Sequence, residues 1–574
     1  MHCFCYFGDY VNVKSKYMSS AFLLLLTSVI VKLIGAFYKI PLTAYIGAVG
    51  RGYFGVAYNL CLPVHALIMG AFPVALSKLT AKYNAQGNKE AICSLKRGAD
   101  KLFLSVGMIG MGIMILLAKP YCSLIASSPK SIYCVLALAP SVLFSSLAAS
   151  YRGYYEGFMN MRPTSVSQTI EALFKLVFGL VFAKITMAYL YNSYISGGSI
   201  LSKTVSSQEE ALSIIYPLSS AAAMLGVTLG CFLSYIYVLI YYRINKPAVL
   251  GCKPCNSEKY RAELMSFSFP IMFSCAVQSL FQFLDTASVQ AALGLISTED
   301  LKSAYAQSIA IANTANEDVI SYVYGILSSA LDFKNLIPGI TMALGVCAVP
   351  AVSSAFESKN SDHLQTLINS VYKYTVVISA GGGVLIALCS KEILQFFYSA
   401  SAPDIVISCD GLIKYFGLTV PVYCLASASV FCVQAVGAPK KTIAPYAVSG
   451  IIRVILNILL VSNEKYILLG NVISGAVGYF LMFYWNTKTL KKISGVKIIK
   501  RNVYSKPAFI SLLSYFLLKF VFEKINFSET LLINLLIEFA VFGAAFCMLC
   551  FLFKVLIFSD VFCSLKTKKS GLNT

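Results

Sequence analysis

Two lysines sit in the middle of an apolar stretch long enough to cross a bilayer, SAFLLLLTSVIVKLIGAFYKIPLTAY from Ser20 to Tyr45. Read as a helix, it sets Ser28, Lys32, Gly35 and Lys39 at i, i+4, i+7 and i+11, all on one face. An ammonium facing hydrocarbon costs at least about 2.5 kcal/mol on insertion scales, so both lysines should look into a bundle interior or a wet cavity. The chemistry such a face suits is anion binding, because charge-assisted hydrogen bonds strengthen in a low dielectric.

Three more polar stripes follow at helical spacing. Thr164, Gln168, Glu171, Lys175 and Gly179 share a face, with Glu171 four residues before Lys175 in the favourable order for an ion pair. That pair is either self-neutralised packing or part of a binding site. Gln278, Gln282 and Asp285 form the second stripe, and Ser449, Arg453 and Asn457 the third. Interhelical hydrogen bonding accounts for amides and hydroxyls. A carboxylate and a guanidinium exceed what packing requires, which favours cavity lining, and Asp285 with Asn457 is a candidate site for a coupling cation. His65, just after Pro63, reads as a hydrogen-bonded kink residue. No phosphate-binding GxxxxGK[ST], HExxH or GxSxG motif is present, so neither an ATP-driven pump nor an enzyme is expected. No cofactor or metal is expected either, and coupling would come from Na+, H+ or the membrane potential. Cys252 and Cys255 form a lone CxxC with no second cysteine or histidine pair nearby, which reads as ordinary thiols.

The elements that must carry these stripes are membrane helices. Of 574 residues 58% are hydrophobic and 12% charged, and the mean hydropathy is +0.74, far too apolar for a soluble chain. A net charge of +21 could suggest nucleic acid, but the basic residues lie in short connectors between apolar segments, so no nucleic-acid partner is expected. At about 20 residues per crossing, fourteen helices are predicted, centred near residues 32, 65, 110, 142, 175, 227, 278, 341, 384, 424, 452, 476, 514 and 544. With the N-terminus inside, thirty of the Lys and Arg residues fall in inner connectors and nine, including Arg51, in outer ones. Arg152 is counted among the inner thirty. This asymmetry puts both termini in the cytoplasm. The remaining cations are Lys32, Lys39, Lys175, Lys184, Lys334, Lys414 and Arg453, opposed within the membrane by Glu171, Asp285, Asp332 and Glu538. The surplus points to an anionic ligand, although Lys184 and Lys414 lie near helix ends and can snorkel.

A faint repeat gives the organisation. FPVALSKL from Phe72 matches VPAVSSAF from Val349, and MRPTSVS from Met161 matches PKKTIAP from Pro439, at offsets of 277 and 278 residues. Helices 1 to 6 and 7 to 12 then read as two copies, with helices 13 and 14 outside the repeat. The predicted organisation is a cytoplasmic lead at 1–17, an N-lobe at 18–245, a C-lobe at 264–488, two further helices at 507–558 and a cytoplasmic tail at 559–574.

KLIGAFYKIPLTAYIGAVGRGYF from Lys32, FPVALSKLTAKY from Phe72, YRGYYEGFMNMRPTSVSQTIEALFKLVFGLVFA from Tyr151 and NLIPGITMALGVCAVPAVSSAF from Asn335 carry a family resemblance. They resemble the stage V sporulation protein B and lipid II flippase-like, or polysaccharide biosynthesis protein, branch of the multidrug/oligosaccharidyl-lipid/polysaccharide flippase superfamily. The resemblance implies an all-α polytopic fold of two six-helix lobes, MATE-like, plus two C-terminal helices forming a groove for a lipid tail. It implies alternating access around a cationic cavity, moving an undecaprenyl-diphosphate-linked saccharide outward across the bacterial cytoplasmic membrane. Lys32 matches a basic position of the family's first helix, with Lys39 near a second. Asp332 and Lys334 approximate a charged pair of helix 8, and His65 stands where a more basic residue is usual. Residues 295–323 are longer than the family pattern. The substrate-binding set expected on both grounds is Lys32, Lys39, Glu171, Lys175, Lys334 and Arg453. Partners implied are the lipid-linked saccharide, membrane lipids and the cell-wall synthesis machinery. Two alternatives stay open: a cation-coupled multidrug antiporter of the same superfamily, and a non-transporting scaffold for wall or spore assembly.

Overall fold

The computed structural model describes residues 2–201, 203–245, 257–499, 501–524 and 530–555. The Cys252–Cys255 motif and the tail at 559–574 lie outside these described residues, as does the side chain of Lys32. Described backbone is almost wholly helical, apart from a two-stranded hairpin pairing Ser199–Ile200 with Lys203–Thr204.

The first compact unit comprises residues up to 329 together with 457–467. It holds α1 (His2–Ala85), α2 (Lys89–Pro120), α3 (Ile132–Gly157), α4 (Arg162–Gly197), α5 (Gln208–Ile244), α6 (Ser257–Leu293), α7 (Thr298–Ala304), α8 (Ala306–Ala312) and most of α9 (Val319–Lys334). The other unit holds α10 (Leu336–Glu357), α11 (Ser361–Leu388), α12 (Ser390–Tyr398), α13 (Pro403–Ala435), most of α14 (Ile443–Val461), α15 (Leu468–Ser494), α16 (Lys506–Lys524) and α17 (Leu531–Leu552). Each of the fourteen predicted centres lies in one of these helices. Among the described residues eleven helices are long and apolar enough to cross a membrane, or twelve if the bent pair Cys275–Leu293 and Thr298–Ala304 is one span.

α1 covers two predicted helices. It breaks at Gly47, whose φ of 63° and ψ of −177° suit glycine and strain any residue with a Cβ. Past the break α1 crosses α9 at backbone contact, for a Cβ on Gly52 would lie 1.9 Å from the Ser321 carbonyl oxygen, and one on Gly325 1.8 Å from that of Ala48. Such approaches matter because lipid tails are as apolar as leucine, so membrane helices are held by close packing and by hydrogen bonds across helices. Serines and threonines supply those bonds: Ser220 donates to the Gly50 carbonyl at 3.0 Å, Ser219 to Ala183 at 2.8 Å and Thr228 to Ala137 at 2.6 Å. Each contributes on the order of 1 kcal/mol. Apolar side chains do the reverse and face outward, as Leu173, Val177, Val181 and Ile185 do along one face of α4.

The repeat segments occupy corresponding local positions. MRPTSVS opens α4 and PKKTIAP opens a 3-10 turn leading into α14, each with a proline in the first turn, where its missing N–H costs nothing. Residues 295–323, expected as a long connector, contain α7 and α8 and the start of α9. In the second unit α16 and α17 pack on α11 and α12 through Val377, Val384, Ile510, Phe542 and Phe546. Phe546 needs Gly381 beneath it, where a Cβ would come within 2.7 Å of the ring.

Candidate functional site

Within the first unit, Lys175 is set on two tyrosines. Its ammonium lies 4.8 Å from the centroid of Tyr58 and 5.4 Å from that of Tyr38. Tyr38 reaches this place because Gly179, one turn along α4 from Lys175, leaves room: a Cβ there would stand 2.5 Å from the ring. Arg51, which the sequence placed in an outer connector, is instead buried at 2% exposure, its guanidinium 4.9 Å from the Phe54 ring. A desolvated cation over an aromatic face gains roughly 2 kcal/mol.

Glu171 does not neutralise Lys175. Arg152 of α3 takes its carboxylate, donating from Nη2 to Oε2 at 2.9 Å. The same guanidinium donates to Ser167 at 2.9 Å and to Ser234 at 2.6 Å, which satisfies it in a site where it is 4% exposed. Arg152 was expected in a connector, and the helix runs on past it to Gly157. The self-neutralised pair within α4 is therefore replaced by an ion pair between α3 and α4. His65 is within electrostatic reach of Glu171, Arg152 and Lys175, and Lys39 lies half-buried on α1. Gln282 lines a cavity of about 70 Å³ with Asn59, Pro63, Ser279 and Thr286. Pro63 has no N–H for the Asn59 carbonyl, so this niche between α1 and α6 suits water.

Asp285 and Asn457, named separately from two stripes, are in contact. Asn457 is fully buried, and its Nδ2 donates to the Asp285 carbonyl at 3.0 Å, to Asp285 Oδ1 at 3.1 Å and to Ser288 Oγ at 3.0 Å. Backbone, carboxylate and hydroxyl oxygens thus converge on one point. Among the described residues no cluster of three His, Cys, Asp or Glu side chains suits a transition metal.

Two cations of the second unit share one tyrosine. Arg453 is 2% exposed; Nη1 donates to the Tyr479 hydroxyl at 2.5 Å, and the guanidinium lies 4.5 Å from the centroid of that ring. Lys334, at the end of α9 beside Asp332, lies 4.8 Å from Phe416, 5.4 Å from Tyr423 and 6.0 Å from Tyr479. Tyr423 meets Tyr479 edge-on at 4.6 Å, so the rings form a connected platform. Gly478 is what lets Arg453 lie flat, since a Cβ there would be 2.2 Å from Arg453 Cγ. Ser449, the third member of that stripe, packs the helices by donating to the Gly478 carbonyl at 2.8 Å. Lys414 pairs with Asp410 at 2.7 Å, which takes it out of the anion-binding set, and Lys184 lies 5.8 Å from the centroid of the Tyr45 ring.

Sequence reasoning missed Arg51 and Arg152, whose burial depends on helices extending beyond their apolar cores. It missed the tyrosines as well, because aromatic residues in a membrane span read as lipid-facing.

The family model for "Polysaccharide biosynthesis protein" matches residues 18–207. Lipid II flippase MurJ of Bacillus subtilis (strain 168) is 21% identical over 511 residues, covering 86% of each chain. Stage V sporulation protein B of the same organism is 20% identical over 543 residues, covering 95% of this chain and 96% of that one. Among solved structures, "Lipid II flippase MurJ, inward closed conformation" superposes with a TM-score of 0.64 at 14% identity, over 94% of this chain and 98% of that one.

Proposed function

We propose that this chain, a multi-pass membrane transporter of the multidrug/oligosaccharidyl-lipid/polysaccharide flippase superfamily, moves an undecaprenyl-diphosphate-linked saccharide from the cytoplasmic to the outer face of the membrane. The leading candidate is lipid II or a related wall or spore-cortex precursor. The observation that carries this reading is the way the deep cations are kept charged. Lys175, Lys334 and Arg453 rest on tyrosine and phenylalanine rings. For Lys175, no carboxylate stands within salt-bridge distance among the described residues.

Lys175, held by rings, keeps its ammonium N–H groups for an incoming acceptor. A diphosphate offers several anionic oxygens, and each lysine or arginine contact to it is a charge-assisted hydrogen bond in a site of low dielectric. Within the first unit Lys39 and Lys175, with Lys32 from the first helix, would take such contacts, and within the second unit Lys334 and Arg453 would. Glu171 then serves as a positioning group that fixes Arg152, α3 and α4. The prenyl chain would remain in lipid beside α16 and α17. Asp285 with Asn457 would bind a coupling cation, the termini would face the cytoplasm, and wall-synthesis enzymes would supply the substrate. A site selecting cationic drugs would need the opposite charge.

The test is ligand-induced thermal stabilisation in detergent. Undecaprenyl diphosphate should raise the melting temperature, undecaprenol should not, and Lys175→Met with Arg453→Met should abolish the shift. Equal shifts from both lipids would count against a diphosphate site.

A further inference from the structure

The second unit carries a groove that the transport reading does not use. It runs between α14 and α15, with a volume of about 710 Å³. Ser449 meets Gly478, and Lys441, in the 3-10 turn leading into α14, shares the groove with Lys488 and Lys492 near the end of α15, so the two helices run antiparallel. Tyr484 and Trp485 follow about one turn farther in, at 61% and 43% exposure. Val448, Ile452 and Leu481 line the remainder. No carboxylate is among the lining residues.

The order along the groove is cationic, then aromatic, then apolar. A soluble anion would use the lysines and leave the apolar wall bare, and both helices are apolar enough to span a membrane, so that wall meets acyl chains. Tyrosine and tryptophan favour the depth at which head groups meet tails. Basic pockets between membrane helices recognise anionic head groups on the cytoplasmic side, the side to which the lysine-rich connectors belong by the charge bias.

We infer that an anionic phospholipid occupies this groove, its phosphodiester on Lys441, Lys488 and Lys492 and one acyl chain along Val448, Ile452 and Leu481. The site would make the protein's stability depend on the anionic lipid content of the membrane. It lies apart from Lys334 and Arg453, which rest on Tyr479, on a different face of α15, and, for Lys334, on Phe416 and Tyr423 of α13, and it stands whatever saccharide is carried.

Trp485 is the single tryptophan of the chain, so its fluorescence reports the groove alone. The full-length protein is placed in phosphatidylcholine nanodiscs containing a small fraction of lipid brominated on the acyl chain, either phosphatidylglycerol or phosphatidylcholine. Brominated phosphatidylglycerol should quench Trp485 at a mole fraction up to about a hundredfold lower than brominated phosphatidylcholine, each of the three lysines contributing on the order of a fivefold preference. In K441Q/K488Q/K492Q the two lipids should quench alike, while quenching by brominated phosphatidylcholine stays at the wild-type level and shows the groove to be intact. Equal quenching in the wild type, or a preference that survives the triple substitution, would overturn the proposal. So would relief of quenching by soluble glycerol phosphate, which would assign the lysines to a water-soluble ligand.

Discussion

Arg152 of α3 and Glu171 of α4 are joined by a 2.9 Å ion pair, so the direct partner of Glu171 is an arginine of the neighbouring helix and not the lysine that follows it by one helical turn. The consequence is a division of labour among buried charges. Arg152 and Glu171 fix two helices to each other, while Lys175 rests on the rings of Tyr38 and Tyr58, which is what the proposed diphosphate contact relies on.

Breaking the fixed pair should destabilise more than deleting it. Removing one partner of a buried ion pair costs about 3–5 kcal/mol, whereas replacing both by apolar residues is often neutral. Glu171→Gln should lower the melting temperature in detergent, and Arg152→Met with Glu171→Met should recover most of the loss. If the double variant melts below both single ones, the pair has a role beyond holding helices.

The crossing of α1 and α9 admits no side chain. Gly52→Ala or Gly325→Ala places a methyl within 2 Å of a carbonyl oxygen, so the helices must separate. Overpacking of this kind costs about 1–3 kcal/mol or more. Both variants should melt below the wild type, with Gly543→Ala, which meets nothing within 4 Å, as the unaffected control.

Tyr479 offers a graded test of the second cationic cluster. Tyr479→Phe keeps the ring beneath Arg453 and Lys334 and removes only the hydrogen bond, so transport should fall modestly, by several-fold. Tyr479→Leu removes the ring as well and should reduce transport far more at similar protein levels. Equal effects would mean that the hydroxyl alone matters.

The helices of the membrane were legible because their apolar runs are long, and the stripes because a helix repeats every 3.6 residues. What joins the stripes was not. Asp285 and Asn457 are 172 residues apart and Arg453 and Tyr479 are 26 apart, and no spacing rule spans such distances. The apolar run that predicts α3 fades near Ser150, yet the backbone stays helical through Gly157, which carries Arg152 inward. The sequence sets Gly179 in a polar stripe and does not single out Gly478, and only the structure shows that each makes room for a ring or a guanidinium at the site.

Outside the spans, Asp318 introduces a pH dependence of stability. Burial pushes its carboxyl above the usual carboxylate range, partly offset by a 2.5 Å hydrogen bond from Tyr53 and by Lys130 at 3.2 Å. The folded protein therefore holds this proton more tightly than the unfolded chain. That contribution is fully present below the ordinary aspartate value of about 3.9 and is lost as pH rises through the higher folded value. Asp318→Asn should flatten the decline in melting temperature as pH rises above about 4. An unchanged slope would assign the decline to other groups.

In the proposed function, ring-held cations carry a lipid diphosphate across the membrane. Its most direct test is translocation of fluorescent lipid II in proteoliposomes, comparing the wild type with Lys175→Met and Arg453→Met and using a neutral fluorescent lipid as control. Selective transport of lipid II by the wild type, and its loss in both variants at normal insertion, is the expected result. Transport of the neutral lipid at the same rate, or undiminished transport in both variants, would contradict it.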